Sequence, residues 1–255
     1  MPVLLKRGPS LVKGPSFSKS RVIGPALPSI RIYQSRNIDE LIVVDVSNSG
    51  AVSAGVERFA WIKDVNNFLT MPLSVGGGIR SIDQIQYLIQ NGADRVVLNW
   101  ALRNDHSLVR HAVAMHGSQS VVGSIDVSFI DNKWCIYDSW QHKFLDICLA
   151  SLIAEVQDLG VGEIFLTSHR CEGHMKGFDL ELLKDAVGLV NVPLIFSGGA
   201  GSLADFCELM RFANDIEIKI SAIAAASCFH FTQITPSDVA KCLINLGFDA
   251  RATDF

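Results

Sequence analysis

A glycine-rich stretch that occurs twice constrains the fold of this 255-residue chain more than any other feature. In the first copy a short apolar run enters three consecutive glycines at 76–78, and apolar residues at helical spacing follow. This pattern predicts a strand, a tight turn and a helix. The second copy places Gly198 and Gly199 at the positions of Gly77 and Gly78, 121 residues later. Tight turns use glycine for steric reasons too, so the matched pair indicates phosphate binding better than either copy alone.

Strands and helices alternate along the rest of the chain, which is typical of a parallel sheet. The first strand is predicted at 3–5 or 10–12, ahead of a long basic loop, and the other strands at 41–46, 73–75, 95–98, 120–125, 163–166, 194–196 and 220–224. Helices are predicted from near Leu27 and at 55–68, 82–91, 107–116, 148–159, 180–187, 203–212 and 236–246. The eight repeats predict one (β/α)8 TIM barrel over 1–255, with half-barrels at 1–117 and 118–255. An open doubly wound sheet is the alternative.

Composition excludes several classes of protein. The formal net charge of −4 and the pI near 6.0 argue against a nucleic-acid-binding surface. No apolar run is long enough to cross a bilayer, and the N-terminus lacks the features of a signal peptide, so a cytoplasmic location is expected. The six cysteines have no paired spacing and are predicted to be free thiols.

Polar residues follow the predicted strands at the ends that form the active site of a barrel. Asp126 and Asp45 each close a buried apolar run, where a carboxylate is costly unless it is paired or functional. The alternative is that each carboxylate caps the following turn. The same strand ends carry Asn99, Thr167, Ser168, Ser197 and Ser227.

Charged residues also lie at the predicted starts of strands, namely Arg7, Glu40, Arg95 and Glu163. From the residues alone these are interpreted as solvated charges that add little stability. The segment from His169 to His174 offers three possible metal ligands, but its spacing matches no common zinc pattern, and no metal or other cofactor is expected.

Several motifs in order resemble the cyclase subunit (HisF type) of imidazole glycerol phosphate synthase, at residues 39–45, 74–79, 117–126, 162–168, 197–201 and 225–230. The resemblance spans nearly the whole chain and implies a (β/α)8 barrel with two phosphate sites for a small phosphorylated substrate. It assigns the first site to Gly77, Gly78 and Asn99, and the second to Gly198, Gly199, Ala226 and Ser227.

The resemblance also implies a glutaminase (HisH-like) subunit that docks on the floor of the barrel as a heterodimer. Ammonia then enters the barrel through a ring of four charged residues. By this resemblance the ring is Arg7, Glu40, Arg95 and Glu163, which replaces the interpretation of these residues as solvated charges.

The catalytic end departs from the family pattern. The family uses two aspartates as general acid and base, of which Asp126 matches one, while the other falls at Leu11 or Val12. No Asp or Glu precedes Asp39. Asp45 and Glu172 are expected to assist Asp126, and Trp100 replaces a small hydroxyl residue beside the first phosphate site.

This combination is similar to a paralogous branch encoded with surface-polysaccharide (O-antigen) genes. The first hypothesis is therefore a barrel subunit that passes glutamine-derived ammonia to a sugar amidotransferase. The second is a working cyclase of histidine biosynthesis. The third is a non-catalytic barrel that binds a phosphorylated ligand. Under all three hypotheses, neither nucleic acid nor a membrane is expected as a partner.

Overall fold

The computed structural model describes residues 1–18, 20–36, 38–47 and 55–251. Eight parallel strands in these ranges form a closed (β/α)8 barrel, with each strand paired to the next along the chain. In order they are β1 (Val3–Arg7), β4 (Leu41–Asp45), β5 (Leu73–Gly76), β6 (Arg95–Leu98), β7 (Val121–Ile130), β10 (Glu163–Ser168), β11 (Leu194–Ser197) and β12 (Ala222–Ala224). The predicted barrel is confirmed, and the open sheet is excluded by the closure between β12 and β1.

The barrel closes through a short contact between the last strand and the first. Pro2 forms a parallel bridge with Ala225. The Val3 N–H donates to the Ala225 carbonyl at 2.9 Å, and the Ala225 N–H donates to the Met1 carbonyl at 3.0 Å. The seam between the last strand and the first is therefore held by few backbone hydrogen bonds.

Four additional strands extend the sheet at the carboxyl ends of two barrel strands, β1 and β7. β2 (Ser10–Lys13) and β3 (Arg21–Pro25) continue antiparallel from β1, while β8 (Lys133–Asp138) and β9 (Lys143–Leu145) form a hairpin on β7. Both segments proposed for the first strand are thus strands, but only the earlier one belongs to the barrel wall. β7 is longer than predicted because its second half pairs with the hairpin.

Residues along each barrel strand alternate between two cores, as the two-residue period of a strand requires. The inner core fills the barrel axis with Val3, Ile42, Val97, Val122, Phe165, Ile195, Ala224 and Ala226. Neighbouring residues such as Leu41 and Val43 point outward to the larger core under the helices. This alternation decides which residues meet inside the barrel at either end.

The outer layer is helical. Its helices are α1 (Ala26–Ser35), α2 (Trp61–Asn66), α3 (Ile82–Gln90), α4 (Ala101–Asn104), α5 (His106–His116), α6 (Leu149–Asp158), α7 (Leu180–Ala186), α8 (Leu203–Asp215), α9 (Ser227–Phe231) and α10 (Pro236–Asn245). Local signals fix several starts, since Ser202 and Thr235 form capping boxes with Asp205 and Asp238. The helix predicted at 55–68 is instead a 3-10 turn (Val56–Phe59) followed by α2. Within the described ranges no helix has the length and apolar character needed to cross a membrane.

Candidate active site

A cavity of about 230 Å³ opens at the carboxyl ends of the barrel strands. Every barrel strand, or the loop directly after it, contributes to the wall. Of the residues predicted for the site, the cavity is lined by Asp45, Gly77, Gly78, Asn99, Asp126, Glu172 and Ala226. Gly198, Gly199 and Ser227 are outside this lining, although their neighbours Ser197 and Ala226 belong to it.

Asp126 lies in the cavity because β7 turns alternate residues inward, with Val122 and Ser124 below it. The Asn99 Nδ2 group donates a hydrogen bond to the Asp126 Oδ2 atom at 3.0 Å. Burial raises the pKa of Asp126 to about 7, the Arg103 charge opposes this rise and the Glu172 charge adds to it. A carboxyl group that titrates near neutrality is suited to both proton donation and proton acceptance.

Asp45 ends β4 and is held by two cations. Lys6 Nζ lies 3.4 Å from Oδ2, and Arg58 Nη2 lies 3.2 Å from Oδ1. The Ser47 N–H donates to Oδ1 at 2.9 Å. Asp45 therefore holds Arg58 at the cavity wall and pairs with Lys6, which is outside the lining. Both of its oxygens are already engaged.

Glu172 belongs to the loop after β10 and forms an ion pair with Lys13 of β2. Both residues are buried, with 7% and 3% of their surface exposed. The Ser16 N–H also donates to the Glu172 carbonyl at 2.9 Å. These contacts join two loops that are distant in sequence and place a third carboxylate in the cavity.

Strand one supplies no carboxylate. Its inward residues are Val3, Leu5 and Arg7, all of which line the cavity. Leu11 and Val12 lie on β2, which runs antiparallel to β1, so neither occupies the end of the first barrel strand as expected. Among the described residues lining the cavity, the carboxylates are Asp45, Asp126 and Glu172.

The two glycine loops share a backbone conformation but differ in their surroundings. Gly77, Gly78, Gly198 and Gly199 all have positive φ angles, between 63° and 108°. At the first predicted phosphate site, the Asn99 Nδ2 group already donates to Asp126 and to the Ser124 carbonyl, each at 3.0 Å. The Asn99 amide is therefore committed within the protein.

At the second loop the Gly177 N–H donates to the Gly199 carbonyl at 3.0 Å. The Ser227 Oγ is buried and has no hydrogen-bond partner among the described atoms. Ser227 thus keeps an unused polar atom near this loop, whereas the Gly199 carbonyl is used inside the protein.

At the opposite end of the barrel, Arg95 forms ion pairs with two of the predicted ring residues. It contacts Glu40, and its Nη2 lies 3.7 Å from Glu163 Oε1. Ser74 Oγ donates to Glu40 at 2.7 Å. Burial raises the pKa of Glu163, an effect that the Arg95 charge opposes and the Glu40 charge reinforces.

The placement of Arg7 in this ring was wrong. The register pairs Val3 with Ile42, two residues after Glu40, so Arg7 lies at the far end of β1 and lines the cavity instead. The sequence placed Arg7 before the first strand because it left the position of that strand open. Arg7 is a residue of the upper rim.

The histidines in the loop after β10 serve packing and loop contacts. The His169 ring lies 4.0 Å from that of Tyr137 and also contacts Phe17 and Phe144. Burial lowers the pKa of His169. His174 pairs with the Ser16 hydroxyl at 3.1 Å. No group of three potential metal ligands is found in the described part of the chain.

Several cations and aromatic residues of the rim were not identified from the sequence, although Trp100 was. Lys13, Arg58 and Arg80 line the cavity, as do Trp140 and His142 from the β8–β9 hairpin. For Arg80 a signal existed, because it follows the glycine loop by two residues. For Trp140 none existed, because its position depends on the fold of the hairpin.

Comparison with known proteins gives the family. The model of the histidine biosynthesis protein family matches residues 3–235. An "Imidazole glycerol phosphate synthase subunit HisF" from Dictyoglomus thermophilum is 36% identical over 253 residues, which cover 98% of this chain and 97% of that protein. The chain belongs to the HisF family. This confirms the family that the sequence motifs indicated.

Other HisF relatives match at similar levels. The Thermococcus onnurineus protein of the same name is 34% identical over 245 residues, or 94% of this chain and 92% of that protein. A Campylobacter jejuni protein named "Putative imidazole glycerol phosphate synthase subunit hisF2" is 36% identical over 251 residues, or 98% of this chain and 97% of that protein. The similarity to HisF proteins therefore extends over both ends of the barrel.

Proposed function

We propose that this HisF-family barrel receives ammonia from a glutaminase subunit and delivers it for amidation of a sugar in surface-polysaccharide biosynthesis. A HisH-like glutaminase would dock at the floor, and a sugar amidotransferase would use the ammonia. The observation that carries the proposal is a contrast between the two ends. Arg95 joins Glu40 and Glu163 at the floor, whereas strand one places no carboxylate at the rim.

The floor supports ammonia entry for an electrostatic reason. Arg95, Glu40 and Glu163 form a charged cluster at the strand starts, and the next layer above it is apolar, including Ile42, Val97 and Phe165. An apolar interior disfavours ammonium and admits neutral ammonia, because burying an unpaired charge is costly.

The rim supports a reaction other than the usual cyclisation. General acid–base catalysis by two aspartates needs a second carboxylate free to exchange a proton opposite Asp126. Asp45 is engaged by Lys6 and Arg58, and Glu172 by Lys13. Asp126 is then the main proton-transfer group of the cavity, with Asp45 and Glu172 assisting by holding the cations in place.

The second candidate is an imidazole glycerol phosphate synthase cyclase in histidine biosynthesis. The names of the relatives favour it. In this reading Glu172 replaces the missing aspartate, and its charge, which adds to the rise in the pKa of Asp126, supports that role. Gly77, Gly78 and Asn99 would then bind one phosphate of the substrate, and Gly198, Gly199, Ala226 and Ser227 the other.

The test combines the purified chain with a HisH-type glutaminase. Three quantities are measured: glutamate release, turnover of a ribulosyl imidazole precursor with ammonium salts, and formation of an amidated sugar when a sugar amidotransferase is added. Stimulated glutamate release and amidated sugar without precursor turnover support the proposal. Precursor turnover supports the cyclase instead, and failure of all three contradicts both and leaves the ligand-binding barrel.

A further inference from the structure

Arg80 occupies an unusual place at the mouth of the cavity. Its guanidinium carbon lies 3.9 Å from the ring centre of Trp100 and 4.3 Å from that of Trp140. Trp100 follows β6, and Trp140 lies between β8 and β9, so two separate elements pack on this arginine. Stacking of a guanidinium on indole rings is favourable and fixes its plane.

The edge of the guanidinium remains available. Among the residues that the structure describes, the Arg80 side chain makes no hydrogen bond or ion pair, although it lines the cavity. Asp138 is close enough to act on the charge of Arg80, but it accepts hydrogen bonds from the Trp140 and Gln141 N–H groups and pairs with Arg103 at 3.8 Å. An arginine with free donors in a fixed plane is arranged to bind an oxyanion.

A second guanidinium, that of Arg58 in the 3-10 turn after β4, lies against the glycine loop that precedes Arg80. A Cβ atom added at Gly78 would collide with the guanidinium of Arg58, which also bonds to Asp45 at 3.2 Å. Burial lowers the pKa of Arg80 and the Arg58 charge lowers it further, whereas Asp138 opposes this. The two cations repel one another here, and an anion beside them would relieve the repulsion.

We propose that Arg80, clamped between Trp100 and Trp140, binds a phosphoryl group of the ligand through its free guanidinium edge. This inference deepens the proposed function, since it names the residue that recognises the phosphorylated ligand, but the binding needs neither glutaminase nor ammonia. Arg80 supplies the hydrogen-bond donors for the phosphoryl group, because the Asn99 amide already donates to Asp126 and to the Ser124 carbonyl. A phosphoryl dianion fits the two guanidinium groups better than a carboxylate, because it carries more charge.

Indole N–H resonances in ¹H–¹⁵N spectra of the whole chain provide the test. Inorganic phosphate is titrated at constant ionic strength. The Trp100 and Trp140 resonances should shift saturably, while that of Trp134, which donates to Asp185 at 2.7 Å, should stay in place. Wild-type spectra in which Trp100 and Trp140 show no saturable shift would overturn the proposal.

Variants separate the role of Arg80 from general charge. Arg80→Gln should raise the Kd for phosphate at least tenfold, and Arg80→Lys should give an intermediate value because lysine lacks the planar fork. The matched control is Arg110→Gln on the outer helix α5, where Arg110 donates to the Asp158 carbonyl; it should bind like the wild type. An unshifted Trp134 resonance shows that each variant is folded. Wild-type affinity in folded Arg80→Gln would contradict the proposal.

Two further titrations distinguish the source of the phosphoryl group. Ribose 5-phosphate represents a sugar monophosphate, and uridine diphosphate represents the carrier of a nucleotide-linked sugar. Either ligand should bind in an Arg80-dependent way. Because no coupled assay enters these measurements, loss of ammonia transfer would leave the Arg80 result standing, and failure of phosphate binding would leave ammonia transfer untouched.

Discussion

The Asn99 Nδ2 group donates a 3.0 Å hydrogen bond to Asp126 Oδ2 inside the mouth of the barrel. The pKa of Asp126 is nevertheless raised to about 7, since burial outweighs both this bond and the charge of Arg103. The unfolded chain would release the same proton near the ordinary value of 3.8. Folding and protonation of Asp126 are therefore linked.

This linkage decides whether the free energy of unfolding rises or falls with pH. Between pH 4 and 7 the folded state holds the Asp126 proton and the unfolded state does not, so the contribution of Asp126 to stability is fully present below about pH 4 and is lost as the pH rises to about 7. Asp126→Asn removes this loss. The variant should gain stability relative to the wild type by a few kcal/mol, as an order of magnitude, on going from pH 4 to pH 8.

Urea unfolding at several pH values measures this difference. Asp131→Asn, a change at an exposed turn after β7, serves as the control and should show no comparable trend. A constant stability difference between Asp126→Asn and the wild type across this range would contradict the raised pKa. The same variant should lose the chemical activity of the cavity while staying folded.

The Lys13–Glu172 ion pair predicts strong coupling between two loops. Lys13→Met alone leaves a buried carboxylate without its cation and should cost about 3–5 kcal/mol. Lys13→Met combined with Glu172→Gln should recover part of this loss. A double-mutant cycle by urea unfolding measures the coupling. The exposed pair Lys133–Asp146 is the control, where Lys133→Met should change stability little; equal effects at both pairs would refute the argument.

Gly199 is expected to reject a side chain for two reasons. Its φ angle is +108°, and an added Cβ would overlap the carbonyl of Gly177. Gly199→Ala should destabilise the fold by roughly 2–5 kcal/mol. Gly188 has a φ of +74° with no atom within 4 Å of an added Cβ, so Gly188→Ala should cost only about 1 kcal/mol. Thermal unfolding compares the two, and similar losses would contradict this explanation.

The charged cluster of Arg95, Glu40 and Glu163 at the floor predicts how glutamine hydrolysis is coupled to use of the ammonia under the proposed function. With the glutaminase bound, Glu40→Gln should lower product formed from glutamine at least tenfold and leave product formed from ammonium salts near the wild-type level. Arg7→Gln changes a residue at the opposite end of β1, so it should leave the ratio of the two rates unchanged. A ratio that changes with Arg7 and not with Glu40 would contradict the assignment of the floor.

The sequence predicted the barrel because short apolar strands alternate with amphipathic helices, and it predicted Asp126 because a carboxylate closes a buried run. Arg7 was misplaced since a segment with two short strands, β1 and β2, leaves the register of the first barrel strand open. The Trp140 contact with Arg80 was not predictable, because it joins segments 60 residues apart through a hairpin. Local pattern fixes elements and their inward residues, whereas contacts between loops depend on tertiary packing.

Several barrel strands carry one charged or polar residue at each end. β4 follows Glu40 and ends in Asp45, and β6 begins at Arg95 and is followed by Asn99. Only an apolar span of three or four residues separates the two ends. Mutations can therefore remodel the chemistry of one mouth without altering the other. Under the proposed function, a barrel of this kind changes its product while it keeps the same source of ammonia.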